Sequence, residues 1–240
     1  MGFYRGPGIV TRGLFSAYDF SSVRSYPYQA SPGGTDPLLK DLVNGHDMTV
    51  EGSPTFLINN TAYGYMTFSD NGAQTTEYCI CNPYPLPTSE ITIEVWHRMV
   101  NSGNTQGLVS YAVSSNNNEC LMFWNGSSWA FYGPSSAVST GISTSNGEWV
   151  QLVRTDVRSS GTIKGYVNGE LEYTGTLAAG TDFEAGGSLV FAQEQDSVGG
   201  GFDSGQCFQG DLGFVRIYDR ALEANEVKQN FLSQKSRFGL

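Results

Sequence analysis

The chain has 240 residues, 13 Lys+Arg against 23 Asp+Glu for a formal net charge of −10, and 15% charged residues beside 30 glycines and 13% aromatics. That profile fits many short strands joined by tight turns and excludes a coiled coil or helical bundle, which need roughly half Ala, Glu, Lys, Leu and Arg. The acidic balance argues against a nucleic-acid partner, and no apolar run approaches the roughly 18 residues that span a bilayer.

In chain order, residues 1–12 read as a Gly-rich arm that lacks the apolar stretch of a signal peptide, so ordinary export is not expected. Gly13 to Phe20 reads as a strand. Ser25-Tyr26-Pro27-Tyr28, Ser31-Pro32-Gly33-Gly34 and Asp36-Pro37 then carry turn chemistry. Strands follow at Tyr63–Phe68, Ile91–Trp96, Leu108–Val113, Cys120–Trp124, Trp129–Tyr132 and Trp149–Arg154. Thr162–Val167 and Glu170–Tyr173 flank Asn168-Gly169, a pair that tolerates the two positive φ angles of a type I′ hairpin turn. Ser188–Ala192 and Leu212–Tyr218 complete the strands, and only 221–232 reads as helix. These elements predict one antiparallel β-sandwich, a jelly roll over residues 13–240, with a short C-terminal helix.

Cys79-Ile80-Cys81 is too isolated for a zinc site, which draws on paired knuckles. On a strand the two side chains share a face, so a strained disulfide and free thiols in a reducing compartment both stay open. Asn59-Asn60-Thr61 and Asn125-Gly126-Ser127 match the glycosylation sequon, which means little without an export signal. The densest chemistry lies in residues 193–206, where Glu194, Asp196 and Asp203 crowd around Gln193, Gln195, Gln206 and three consecutive glycines. Hard oxygen ligands on a flexible loop suit Ca²⁺. A solvated acidic loop without metal is the alternative.

Gln193-Glu194-Gln195-Asp196-Ser197-x-Gly199-Gly200-x-Phe202, with Gln206, Gly210-Asp211-Leu212-Gly213 and Tyr218-Asp219, resembles the calcium loop of the pentraxins and the strand after it. The likeness extends to Ser110-Tyr111-Ala112, Asn117-Asn118-Glu119 and Leu121-Met122-Phe123-Trp124. The resemblance implies one cation held by Asn117, Asn118, Glu194, the Gln195 carbonyl and Asp196. It implies a second held by Glu194, Asp196, Asp203 and Gln206. Asn117 stands where the family has Asp, which removes a charge from the first site. The stretches around Glu94 and Leu152, matching the strands that a pentraxin disulfide joins, carry no cysteine. The chain therefore resembles the wider laminin-G-like, concanavalin A-like group more than a secreted pentraxin.

Gly13-Leu14-x-x-Ala17-Tyr18-Asp19, Asp41-Leu42-Val43-Asn44-Gly45 and the ending Tyr218-Asp219-Arg220-Ala221-Leu222 through Lys235-Ser236-Arg237-Phe238-Gly239 resemble laminin-G-like domains in tailed-phage virion proteins. The resemblance implies a non-enzymatic capsid or tail protein, assembled in the host cytoplasm and displayed outside it. Its partners would be other virion proteins and cell-surface glycans, and it would form a homo-oligomer. A pure cement protein is the alternative. Trp124, Trp129 and Tyr132 are candidate sugar-stacking residues, although alternating aromatics in a sandwich more often fill its core.

An enzyme of the glucanase type would need carboxylates on one strand face. Glu90-Ile91-Thr92-Ile93-Glu94 has an outer pair but Thr in the middle, and an ordinary strand with Ile91, Ile93 and Val95 inward is the simpler reading. His46, expected at the surface, and His97 offer no hydrolase triad. Lys228, Lys235 and Arg237 suit the negative end of the helix dipole.

Overall fold

The computed structural model describes residues 8–27, 38–58, 63–69, 76–100, 103–144 and 147–240. The sequon at Asn59, arm residues 1–7 and the turns at Tyr28, Ser31-Pro32-Gly33-Gly34 and Asp36-Pro37 lie outside them. Sixteen strands form among the described residues. They are β1 Leu14–Asp19, β2 Leu38–Leu39, β3 Met48–Glu51, β4 Thr55–Ile58, β5 Gly64–Phe68, β6 Tyr78–Tyr84, β7 Glu90–Met99 and β8 Gln106–Val113. The second half comprises β9 Asn116–Trp124, β10 Trp129–Gly133, β11 Ser136–Ser139, β12 Trp149–Val157, β13 Thr162–Val167, β14 Glu170–Thr176, β15 Gly187–Phe191 and β16 Gly210–Tyr218.

Two antiparallel sheets result, as the strand spacing predicts. The first runs β14-β13-β12-β7-β16-β5-β4 with β1 also on β16; the second runs β11-β10-β9-β8-β15-β6-β3-β2. Period-two alternation decides which side chains meet between them. On β7, Ile91, Ile93, Val95 and Met99 join the interior cluster, with Leu152, Val215 and Ile217 from neighbouring strands. The opposite residue, Trp96, packs outward under Phe231 and Phe238. Asn168 and Gly169 take φ of 52° and 80°, the two positive angles expected of the hairpin turn.

The helix, α1, spans Ala224–Gln234, three residues later than its predicted start, and a 3₁₀ turn at Lys235–Phe238 follows it. Glu223 and Glu226 form a reciprocal capping box, and buried Leu222 packs beside Val227 before the first turn. Arg237 does more than face a dipole: its guanidinium forks onto Asp19. Glu90 and Glu94 hold the same face together. Glu94 accepts from Gln151 Nε2 and Asn230 Nδ2 and pairs with Arg216, while Glu90 accepts from the Ala221 N–H. Both carboxylates thus serve to tie the strand to the helix and its approach.

Residues 8–12 do not hang free as an arm. Val10 is buried with Tyr218 and Val227, its N–H donates to Asn230 Oδ1, and Gln229 Nε2 donates to the Gly8 carbonyl. Both the N-terminal segment and the C-terminal helix therefore lie on the outer face of the first sheet.

All four cysteines are buried and none is in a disulfide. Burial pushes the Cys81 thiol up to about 11 and Cys120 to about 12, which keeps both uncharged. His46 is half-buried, stacked on Phe15, with Nδ1 near both Ser16 Oγ (3.1 Å) and Asp41 Oδ2 (3.3 Å). A relay needs those partners on opposite ring nitrogens, so this trio is not a hydrolase triad. His97 is sealed between the sheets against Trp129 and Phe208, where burial pushes it down to about 3.

Candidate functional site

The 193–206 segment crosses from β15 in the second sheet to β16 in the first. Gln195 anchors it from below: its amide donates to the carbonyls of Ser110 and Ser188 and accepts from the Gly199 N–H. Ser197 and Gly200 exchange two main-chain hydrogen bonds that close the glycine turn. Phe202 packs on Tyr78 with ring centroids 4.4 Å apart. Asp203 accepts from the Gly205 N–H and starts the short 3₁₀ turn that carries Gln206.

This scaffold places Glu194, Asp196 and Gln206 around a pocket of about 150 Å³ with Asn118, Leu121 and Phe123 of β9 and Tyr132 of β10. Four of the predicted metal-site residues therefore converge. Two oxygen atoms there, Glu194 Oε2 and Asn118 Oδ1, are buried with no hydrogen-bond partner. Orphaned buried acceptors are costly, and a hard cation would satisfy oxygens of this kind. Burial, then the charges of Asp196 and Asp203, push the Glu194 carboxyl up to about 7.

The remaining predicted ligands are placed differently. Asn117 turns its amide N–H₂ toward Asp196 Oδ1 (3.1 Å), and Asn118 Nδ2 donates to its carbonyl oxygen. Asn117 thus steadies the loop through both ends of its amide. The Gln195 side chain is wholly engaged underneath, so its only contribution would be the main-chain carbonyl. Asp203 reaches Glu194 through its charge. Among the described residues no three His, Cys, Asp or Glu side chains are set to hold a metal ion. A cation here would rely on amide and main-chain oxygens beside the carboxylates, a donor set Ca²⁺ accepts at six to eight oxygens.

Trp124 and Trp129 are not placed to stack on a ligand. They are 1% and 0% exposed, pack edge to face in the interior, and belong to the core because alternate residues of β9 and β10 point inward. Of the three predicted stacking residues only Tyr132 lines the pocket. It also lines an adjoining groove of about 280 Å³ with Asn116, Asn118, Ser135, Ser136 and Ala137.

Sequence reasoning passed over Gly107. A Cβ there would lie 2.6 Å from the Glu194 nitrogen, so β8 and the loop touch backbone to backbone. Its only signal is a glycine inside a strand, which marks a close approach. Gly107→Ala is expected to push Glu194 outward and cost about 1–3 kcal/mol, with cation affinity down by tenfold or more in calorimetric titration.

Comparison with known proteins bears on the fold and the family. A family profile described as the Concanavalin A-like lectin/glucanases superfamily matches residues 60–228. Human neuronal pentraxin-2 is 33% identical over 138 residues, 57% of this chain and 32% of that protein. The chain spans about a third or less of the length of the first curated relatives it matches. A native heptameric SAP-like pentraxin from Limulus polyphemus superposes with a TM-score of 0.59 at 23% identity, covering 68% of this chain and 78% of that one. A Trypanosoma rangeli sialidase in complex with sialic acid gives 0.65 at 14% identity, covering 97% of this chain and 35% of that one. At these identities the structures share the fold.

Proposed function

The chain belongs to the concanavalin A-like lectin/glucanases superfamily, and from that premise we propose that it is a non-enzymatic, lectin-like module that binds carbohydrate with the help of Ca²⁺. The carrying observation is the pair of orphaned oxygens, Glu194 Oε2 and Asn118 Oδ1, at a pocket that opens beside a groove of amides, hydroxyls and Tyr132. Glu194, Asn118, Asp196 and Gln206 would hold the ion, with Asp203 adding charge. When bound, Ca²⁺ would offer open coordination positions to paired sugar hydroxyls. The chain does the rest: Tyr132 gives a ring face, and Asn116, Ser135 and Ser136 line the groove with hydrogen-bonding groups.

The place of this activity is proposed as a phage virion, on capsid or tail, in a homo-oligomer. The phage-like motifs at both ends support that setting, and the Limulus relative is itself heptameric. Antibody labelling of purified particles together with light scattering of the isolated chain tests both statements.

Binding is tested on an array of cell-surface glycans with 2 mM CaCl₂ or EDTA. Retention in calcium that EDTA abolishes is expected, and Tyr132→Ala should weaken it by about tenfold, near the value of one lost ring face. No retention on any glycan, with calcium binding intact, would replace adhesion by the cement role.

A further inference from the structure

We infer that the outer face of the first sheet carries a second, calcium-independent site, for a small apolar carboxylate. A cleft of about 560 Å³ opens there, with the exposed Leu57 and Val100 on its apolar side and Thr67, Arg98 and Asp211 on its polar side. Its size falls within the range of small-molecule sites, and so does its pattern of apolar walls with a few fixed polar groups.

The polar wall is built across three neighbouring strands. Asp211 of β16 pairs in register with Thr67 of β5 and Arg98 of β7. The Thr67 hydroxyl donates to Asp211 Oδ1 at 2.6 Å, and Arg98 Nε donates to Oδ2 at 2.6 Å. The Arg98 guanidinium also lies 5.3 Å from the ring centroids of both Tyr65 and Trp149. Its orientation is therefore fixed before any ligand arrives, while the side chain stays 34% exposed. An oriented guanidinium edge recognises a carboxylate by paired hydrogen bonds. Leu57 and Val100 are 44% and 50% exposed, a large apolar area for two residues beside the Arg98–Asp211 pair, whose guanidinium keeps its outer edge for a ligand. A ligand with an apolar body and one carboxylate would cover both.

The test uses 4-phenylbutyrate, with 4-phenylbutyramide as its neutral twin, titrated calorimetrically into the full chain in EDTA. Saturable binding of the acid is expected, at least tenfold tighter than the amide. Leu57→Asp, on an exposed wall, should reduce acid affinity tenfold or more. Replacing Arg98→Met and Asp211→Leu together avoids stranding a carboxylate, and should bring acid and amide to equal affinity. No saturable binding to 5 mM, equal affinity of acid and amide in the parent chain, or unchanged affinity in Leu57→Asp would overturn the assignment. EDTA throughout keeps this result separate from the fate of the calcium-dependent reading.

Discussion

Asp156→Ala is expected to lower unfolding free energy by about 3–5 kcal/mol, the usual cost of stripping one partner from a buried ion pair. Asp156 sits between two guanidiniums inside the sandwich, all three side chains fully buried. It accepts from Arg154 Nε at 2.7 Å and Nη2 at 2.9 Å, and from Arg158 Nη1 at 3.4 Å. Burial disfavours the charged Arg154, but Asp156 more than offsets it and leaves the guanidinium firmly ionised. Without Asp156, two cations would face Phe131 and Phe183 with only carbonyls as partners. Arg154 Nη1 donates to the carbonyls of Leu121 (3.0 Å) and Tyr132 (2.6 Å), directly beneath the candidate pocket. The loss should therefore reach ligand binding as well as stability. Urea denaturation of the variant measures the first effect. A loss below about 1 kcal/mol would mean water reaches the triad.

Glu194→Gln should abolish the calcium response. A ligand that binds only the native state stabilises it by about 2.7 kcal/mol at a hundredfold excess over Kd. In a chain of this size that is a rise of roughly 5–10 °C in Tm. Parent protein in CaCl₂ should show the rise against EDTA and the variant should not, although Gln keeps the shape. An equal rise in the variant would remove the loop from consideration.

The same residue sets a pH signature. The native carboxyl is pushed up to about 7 from an ordinary 4.5, by burial first and by Asp196 and Asp203 next. Between those values the native state holds a proton that the unfolded chain has released. Metal-free stability should then fall as pH rises through 7, while calcium affinity rises over the same interval. Glu194→Gln should flatten the first trend, measured by thermal melts in EDTA from pH 5 to 8.

Much of this architecture is legible in the residues. Clean alternation marks β7, and Asn168-Gly169 marks a hairpin, because both signals are local. The sequence does not announce β6, where Asn82-Pro83 interrupts the pattern, nor β3 and β4, short strands around Gly52-Ser53-Pro54. The edge strand β11 is serine-rich and mostly exposed, so burial imposes no pattern on it. Arg154, Asp156 and Arg158 alternate as a solvent-facing stripe would. Only tertiary pairing turns that stripe inward. At the site, the loop spacing brings Glu194 and Asp196 together, but the direction of the Asn117 amide depends on its contact with Asp196. Trp124 and Trp129 could not be sorted from Tyr132 by residue type, only by strand parity.

The pinning of Gly8–Val10 under the helix has a practical side for display. Both ends of the described chain leave from the sheet opposite the Glu194 pocket. A sensor surface or bead that grips either end would present that pocket outward, toward the analyte.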